Sequence, residues 1–170
     1  DDEVCCEASR QEVVRRYFKT ACMVRQGLTG KLELNKLDLL MRTLGIDVNI
    51  RRTVPAALAV AESTGEPATA IELPDGQVVT GKTSSLLGAS AAALLNALKV
   101  MAGIPDELKL ISPSVIQPIQ HLKVDHMGNR NPRLHTDEVL IALAISAATD
   151  ENASIAMDQL SELKDCDAHS

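Results

Sequence analysis

The sequence predicts an α+β protein that is mostly helical, with about seven helices and one small antiparallel β-hairpin. Three observations support this class: stretches in which apolar residues recur at helical spacing, one pair of β-branched stretches around a Pro-Asp-Gly turn, and the absence of an internal repeat. The chain has 170 residues, the size of one ordinary domain. We therefore expect residues 1–170 to form a single helical α+β domain.

The predicted helices follow from periodicity and from residues that start or stop helices. Gly45 and Gly65 should end the second and third helices, since glycine is favoured just after a helix. Residues 139–148 are apolar on nearly every side, which predicts a central core helix. Pro118 should kink the helix that runs to about residue 127. The expected capping residues of the later helices are Thr53, Ser90, Ser112, Thr136 and Asn152.

The predicted hairpin has strands at residues 68–73 and 77–80, joined by Pro74-Asp75-Gly76. Each residue of that turn favours chain reversal for its own conformational reason. An isolated hairpin is marginally stable in water, so it must pack on a helix or pair with another strand. The short apolar run at residues 108–111 is the candidate third strand.

Composition and charge exclude several classes of protein. The net charge is -6 and the aromatic residues are Tyr17 and Phe18 alone, which argues against nucleic-acid binding because neither a basic surface nor stacking rings are available. The longest apolar run covers about half of a membrane span, so we predict no membrane segment. The chain begins Asp1-Asp2-Glu3, without the basic start of a secretory signal. Its four cysteines lack metal or redox spacing, so we predict reduced thiols and a cytoplasmic protein.

The first candidate site lies in residues 74–88, PDGQVVTGKTSSLLG. Gly76 and Gly81-Lys82-Thr83 formally match the phosphate-loop pattern, but that loop needs a strand before its first glycine, whereas here the strand-forming residues follow it. Residues 81–85 still combine a cation, three hydroxyls and backbone amides, which suits an anionic group. The alternative is that Thr83, Ser84 and Ser85 only cap and turn the chain.

The second candidate site is residues 128–138, GNRNPRLHTDE. Arg130 and Arg133 could clamp a carboxylate or phosphate, and His135 could act as an acid or base. The alternative is that Thr136 caps the following helix while Asp137 and Glu138 stabilise its N-terminus.

No motif in the chain marks a metal site or a catalytic nucleophile. His121 and His126 are five residues apart on a helix and so diverge, and Cys166 and His169 would need ligands from elsewhere to hold zinc. We predict no metal, and the residues name neither a cofactor nor a catalytic group. Whether the protein is an enzyme stays open at this stage.

Four stretches together resemble the C-terminal part of the bacterial domain-of-unknown-function family 1846: residues 72–76, 80–88, 128–142 and 166–170. The resemblance implies a cytosolic bacterial protein in which a nucleotide-binding α/β domain precedes this one. It supplies no reaction, so no catalytic residue can be transferred. The family's tail more usually reads Gly-Cys-Glu where this chain has Asp165-Cys166-Asp167, which leaves the role of the tail, including Cys166 and His169, unassigned.

Two functional hypotheses follow. In the first, the domain contributes to a pocket for a phosphate-bearing small ligand, shared with the upstream domain. In the second, it is a non-catalytic structural domain that forms homo-oligomers through its alanine-rich helices. The expected ligand-binding residues of the first hypothesis are Gly81, Lys82, Thr83, Ser84, Asn129, Arg130, Arg133, His135 and Asp137.

Overall fold

A computed structural model of the protein describes all residues, Asp1–Ser170, and contains seven α-helices and a small three-stranded antiparallel sheet. The predicted α+β class is therefore confirmed. The chain divides into two compact units, Asp1–Arg52 and Thr53–Ser170. That the whole chain acts as one domain downstream of a nucleotide-binding domain stays a prediction. No helix combines the length and the apolar character that crossing a membrane requires.

The first unit consists of helices α1 (Asp2–Arg25) and α2 (Lys31–Leu44), followed by a short 3-10 turn at Val48–Ile50. The two helices pack against each other around Val14, Met41 and Ile46, which are buried. Gly45 ends α2 in the left-handed conformation, at φ 62°, as the sequence predicts.

The second unit carries the remaining elements. Its elements in chain order are α3 (Thr53–Thr64), β1 (Ala68–Glu72), β2 (Val78–Lys82), α4 (Ala89–Met101), α5 (Pro113–His121), α6 (Thr136–Ala147), α7 (Glu151–Asp158), a 3-10 turn (Gln159–Leu163) and β3 (Ala168–His169). Helix α5 contains Pro118, ends three residues later and continues as a π-helical turn at Leu122–His126.

The sheet has the strand order β2-β1-β3, and all pairings are antiparallel. The predicted hairpin is present, with Asp75 accepting the Gln77 amide in its turn at 2.9 Å. The prediction of a third strand at residues 108–111 is wrong. The edge beside β1 is taken by β3, which Asp167 holds in place: its carboxylate accepts the Thr53 hydroxyl at 2.9 Å and its carbonyl accepts the Glu72 amide at 2.9 Å.

Of the five predicted helix caps, only Ser112 directly precedes its helix. Thr53 and Thr136 are instead the first residues of α3 and α6, and the residue before α6 is His135. The residue before α4 is Gly88, and Ser90 lies inside the first turn. The residue before α7 is Asp150, whose carboxylate accepts the Ala153 amide at 2.8 Å, so the predicted cap Asn152 is already within the helix. Aspartate and asparagine cap about equally well, which is why the sequence cannot choose between neighbours.

Helix α4 packs directly on strand β2, and Gly81 makes this possible. A Cβ atom on Gly81 would lie 2.1 Å from the Ala93 nitrogen, far inside any permitted contact. The glycine therefore sets the distance between the sheet and the helix that follows it.

The main core of the second unit lies between α4, α6 and α7, where Leu98, Leu134 and Leu143 are fully buried. Helix α6 is central to this core, as its sequence predicts, but only on one side. Its opposite face leaves Ile141 and Ile145 exposed by 61% and 53%.

Candidate functional site

The two polar loops singled out by the sequence lie side by side. Leu87 and Leu134 form a parallel β-bridge. The Leu134 amide donates to the Leu86 carbonyl at 2.9 Å, and the Gly88 amide donates to the Leu134 carbonyl at 3.0 Å. Segments far apart in the chain are thereby joined just before α4 and α6 begin.

Arg133 connects the same two loops through its side chain. Its Nε donates to the Ser84 carbonyl at 2.7 Å, which leaves the two terminal nitrogens of the guanidinium without a partner in the chain. The Ser84 hydroxyl in turn accepts the amides of Leu86 and Leu87 at 3.2 and 3.1 Å. Ser84 therefore organises its own loop and also anchors Arg133.

An ion pair between buried Lys123 and partly buried Glu138 fixes the second loop from behind. Lys123 is 4% exposed, and its ammonium donates to the Glu138 carboxylate and to the Arg133 carbonyl, both at 2.7 Å. The same carboxylate oxygen accepts the His135 amide at 2.8 Å. Burial acts to raise the pKa of Glu138, but the hydrogen bonds from Lys123 and the His135 amide outweigh it and hold that pKa below its ordinary value.

The helices α4 and α6 both begin directly after the bridge, so their N-terminal ends are neighbours. The first amide of α4 that donates within the helix is that of Ala92, to the Gly88 carbonyl, and the amides before it have no acceptor in the helix. A helix N-terminus carries partial positive charge and attracts anions. The first turn of α6 carries the carboxylates of Asp137 and Glu138, whereas that of α4 has no acidic residue, so the N-terminal end of α4 is the one available to an anion.

Beside these helix starts lies a cavity of about 270 Å³. Three of the hydroxyls that line it are in mutual contact. The Thr69 hydroxyl donates to the Ser170 hydroxyl at 2.7 Å. The Ser90 hydroxyl lies 3.2 Å from the Thr69 hydroxyl and 3.4 Å from the Ser170 hydroxyl. Thr136 and His169 line the same cavity. Thr69, Ser90 and Ser170 were not among the predicted site residues, because a threonine in a strand and a serine in a helix turn carry no local sign of convergence.

The structure unites some predicted site residues and separates others. Ser84 contacts Arg133. The side-chain nitrogen of Asn131 lies 3.1 Å from Nε2 of His135. The backbone amide of Asn131 donates to the side-chain oxygen of Asn129 at 2.9 Å. Arg130 and Asp137 are exposed in and after the same loop.

The residues at the end of β2 occupy a different position. Gly81 is buried against α4, Lys82 is the exposed last residue of the strand, and the Thr83 amide donates to the Pro67 carbonyl at 2.9 Å. No hydrogen bond links Lys82 or Thr83 to the Arg133 loop, so their role in ligand binding stays a prediction.

The start of α6 also places three potential metal ligands together, a grouping that the sequence analysis did not identify. Donor atoms of His135, Asp137 and Glu138 lie within 4.8 Å of one another. Glu138 already accepts hydrogen bonds from Lys123 and from the His135 amide through one oxygen. This engagement reduces what Glu138 can offer a cation.

Cys166 is poorly suited to act as a nucleophile. Burial raises the pKa of its thiol, and the nearby carboxylates of Asp165 and Glu72 raise it further. The thiolate is the reactive form of cysteine, and a raised pKa means that little thiolate is present at neutral pH.

The fold defines a mostly helical α+β protein in which two polar loops are joined. Comparison with known families assigns the chain to a family. The family described as domain of unknown function DUF1846, C-terminal, matches residues 49–170, and DUF1846, N-terminal, matches residues 1–45. The chain belongs to the DUF1846 family, which confirms the resemblance seen in the sequence. The two matched regions meet close to the division between the two compact units.

Bacterial relatives agree with this assignment. The chain is 54% identical over 169 residues to UPF0371 protein cu0538 of Corynebacterium urealyticum, covering 99% of this chain and 34% of that protein. It is 53% identical over 170 residues to UPF0371 protein str1377 of Streptococcus thermophilus, covering 100% of this chain and 34% of that protein. The chain therefore spans about a third of the length of the curated relatives it matches.

Proposed function

We propose that the joined loops and the starts of α4 and α6 bind the phosphate group of a small ligand, in a site shared with an upstream domain of the full-length protein. The single observation that carries this proposal is the hydrogen bond from Arg133 to the Ser84 carbonyl, at 2.7 Å. It joins the two polar loops and holds a guanidinium beside two helix N-termini. The sharing with another domain is supported by the greater length of the relatives.

The chemistry of the surrounding residues supports the binding of an anion. Arg133 has two terminal nitrogens available, and a guanidinium fork suits phosphate oxygens. Arg133 and Thr136 are three positions apart, at most about 10 Å of chain, so one ligand can reach both the guanidinium and the hydroxyl-lined cavity. Backbone amides and hydroxyls at helix starts are frequent phosphate contacts.

The proposal concerns binding and assigns no reaction. His135 and Asp137 lie within 4.8 Å of one another at the edge of the site, and such a pair can move a proton when a substrate is placed next to it. The raised pKa of Cys166 argues against covalent chemistry at that thiol.

The test is calorimetric titration of inorganic phosphate and ATP into the full-length protein and into a double variant, Lys82→Ala with Arg133→Ala. Loss of charge-assisted hydrogen bonds should weaken binding by about ten-fold or more. Lys164→Ala is the matched control. Lys164 directly follows the 3-10 turn at Gln159–Leu163, and Gln159 and Glu162 of that turn lie near the hairpin turn. Lys82 is at the opposite end of the hairpin, so Lys164 lies away from the proposed site.

A further variant separates binding from folding. Arg130 is exposed and makes no hydrogen bond in the chain, so Arg130→Ala should weaken phosphate binding without lowering stability. Equal phosphate affinity in the wild type, the double variant and Arg130→Ala would refute the proposal.

A second candidate function, self-association of copies of this chain, is favoured by the exposed face of α6. Ile141 and Ile145 are 61% and 53% exposed on a helix that has no charged residue between Glu138 and Asp150. Sedimentation of the full-length protein should then show an oligomer that Ile141→Asp dissociates. A monomer at all concentrations would exclude this candidate.

A further inference from the structure

A second cavity, of about 230 Å³, lies along one face of α4 in the unit of residues 53–170. Its walls are mostly aliphatic and include Leu86, Leu95, Leu108 and Ile116. It shares no lining residue with the hydroxyl-lined cavity beside the helix starts. Small-molecule sites typically have this composition, with an apolar wall and few polar groups.

One residue that lines this cavity is a buried lysine. Lys99 is 8% exposed and donates to the Asp106 carbonyl at 2.5 Å. The Asp106 carboxylate lies 3.4 Å from the Lys99 ammonium, and the Asp106 side chain is 93% exposed. A buried charge ordinarily requires a close, shielded partner, whereas a carboxylate in water at this distance compensates little. The ammonium has three N–H donors and so keeps capacity for a further acceptor.

We propose that this cavity binds a short monocarboxylate, with its carboxylate on Lys99 and its hydrocarbon part against the aliphatic wall. Lys109 also lines the cavity and adds positive charge. An apolar cavity of about 150 Å³ holds benzene, so the larger volume here accommodates about nine non-hydrogen atoms. A carboxylate with a chain of five or six carbons, or a small aromatic acid, has the matching size. This inference does not rest on the phosphate site proposed above.

The test is titration of hexanoate into the full-length protein, with hexanamide as the uncharged probe of the same shape. Hexanoate should bind saturably and hexanamide about ten-fold to one hundred-fold more weakly, because only the former gains a charge-assisted hydrogen bond. In Lys99→Met the preference for hexanoate should disappear, and in Lys99→Arg it should remain. Lys164→Met, which removes an exposed lysine that does not line the cavity, is the matched control.

A cavity-filling variant keeps the test decisive if Lys99→Met does not fold. Ala92 lines the cavity, so Ala92→Leu adds apolar volume to empty space and should abolish hexanoate binding. The proposal is overturned if the wild type does not bind hexanoate, if Ala92→Leu binds it as tightly as the wild type, or if a folded Lys99→Met does so.

Discussion

The Lys123 ammonium and the Glu138 carboxylate meet at 2.7 Å behind the loop that carries Arg133, and Lys123 is almost completely buried. Removing one member of a buried pair leaves the other charge uncompensated, which costs more than the pair itself contributes. Glu138→Ala should therefore lower the free energy of unfolding by about 3 kcal/mol. Urea denaturation at pH 7 measures this, and the exposed Glu151→Ala, in the first turn of α7, is the control. A change of the same size in both variants would contradict the prediction.

The same pair makes stability depend on pH. The pKa of Glu138 in the folded protein lies below its ordinary value of about 4.5. Its contribution is therefore fully present above the pKa of the unfolded chain and is lost as pH falls through the lower folded value. The difference in unfolding free energy between wild type and Glu138→Gln should shrink as the solution is acidified from pH 6 to below the ordinary glutamate pKa of 4.5. A difference that stays constant over this range would show that Glu138 does not carry the dependence.

Gly81 should be intolerant of any side chain. Gly81→Ala would place a Cβ atom 2.1 Å from the Ala93 nitrogen, so strand β2 and helix α4 must separate, at a cost of roughly 3 kcal/mol or more. Gly88→Ala is the matched control, since its Cβ atom would meet nothing closer than 3.7 Å and its φ is -70°, which alanine adopts freely. It should cost about 1 kcal/mol or less. Thermal unfolding of the two variants distinguishes them, and equal melting temperatures would contradict the packing argument.

Cys166 should react slowly with thiol reagents. Burial and neighbouring carboxylates raise the pKa of its thiol, so at pH 7.5 a smaller fraction is thiolate than in an exposed cysteine. Cys22 is exposed and serves as the internal reference. Peptide mass spectrometry after timed iodoacetamide labelling should show slower modification of Cys166. Faster modification of Cys166 would mean that the tail is more open than in this structure.

Local signals in the sequence predict the elements well. Gly45 stops α2, the Pro74-Asp75-Gly76 turn forms the hairpin, and the number of helices agrees, because each depends on residues close together in the chain. The third strand could not be predicted in this way. The pairing of β1 with β3 depends on contacts between Asp167 and residues far earlier in the sequence, which no local pattern encodes.

The candidate site shows the same division. Ser84 and Arg133 stand out in sequence because each lies in a polar loop beside a helix, but their contact is a property of the tertiary fold. The burial of Lys123 has no local signal in the sequence, since its partner Glu138 comes after an intervening loop. Thr69, Ser90 and Ser170 carry no sign of forming a cluster, as they lie in β1, in α4 and after β3.

The order of strands in the sheet also has a consequence for how the protein folds. The β1–β2 hairpin joins neighbours in the chain and closes a small loop, whereas the Thr69 to Ser170 contact beside β3 closes a loop of 101 residues. Loop-closure entropy rises with loop length, and distant pairings form slowly. During synthesis the hairpin and α4 can assemble while the tail is still inside the ribosome, so the third strand is added last to a preformed edge.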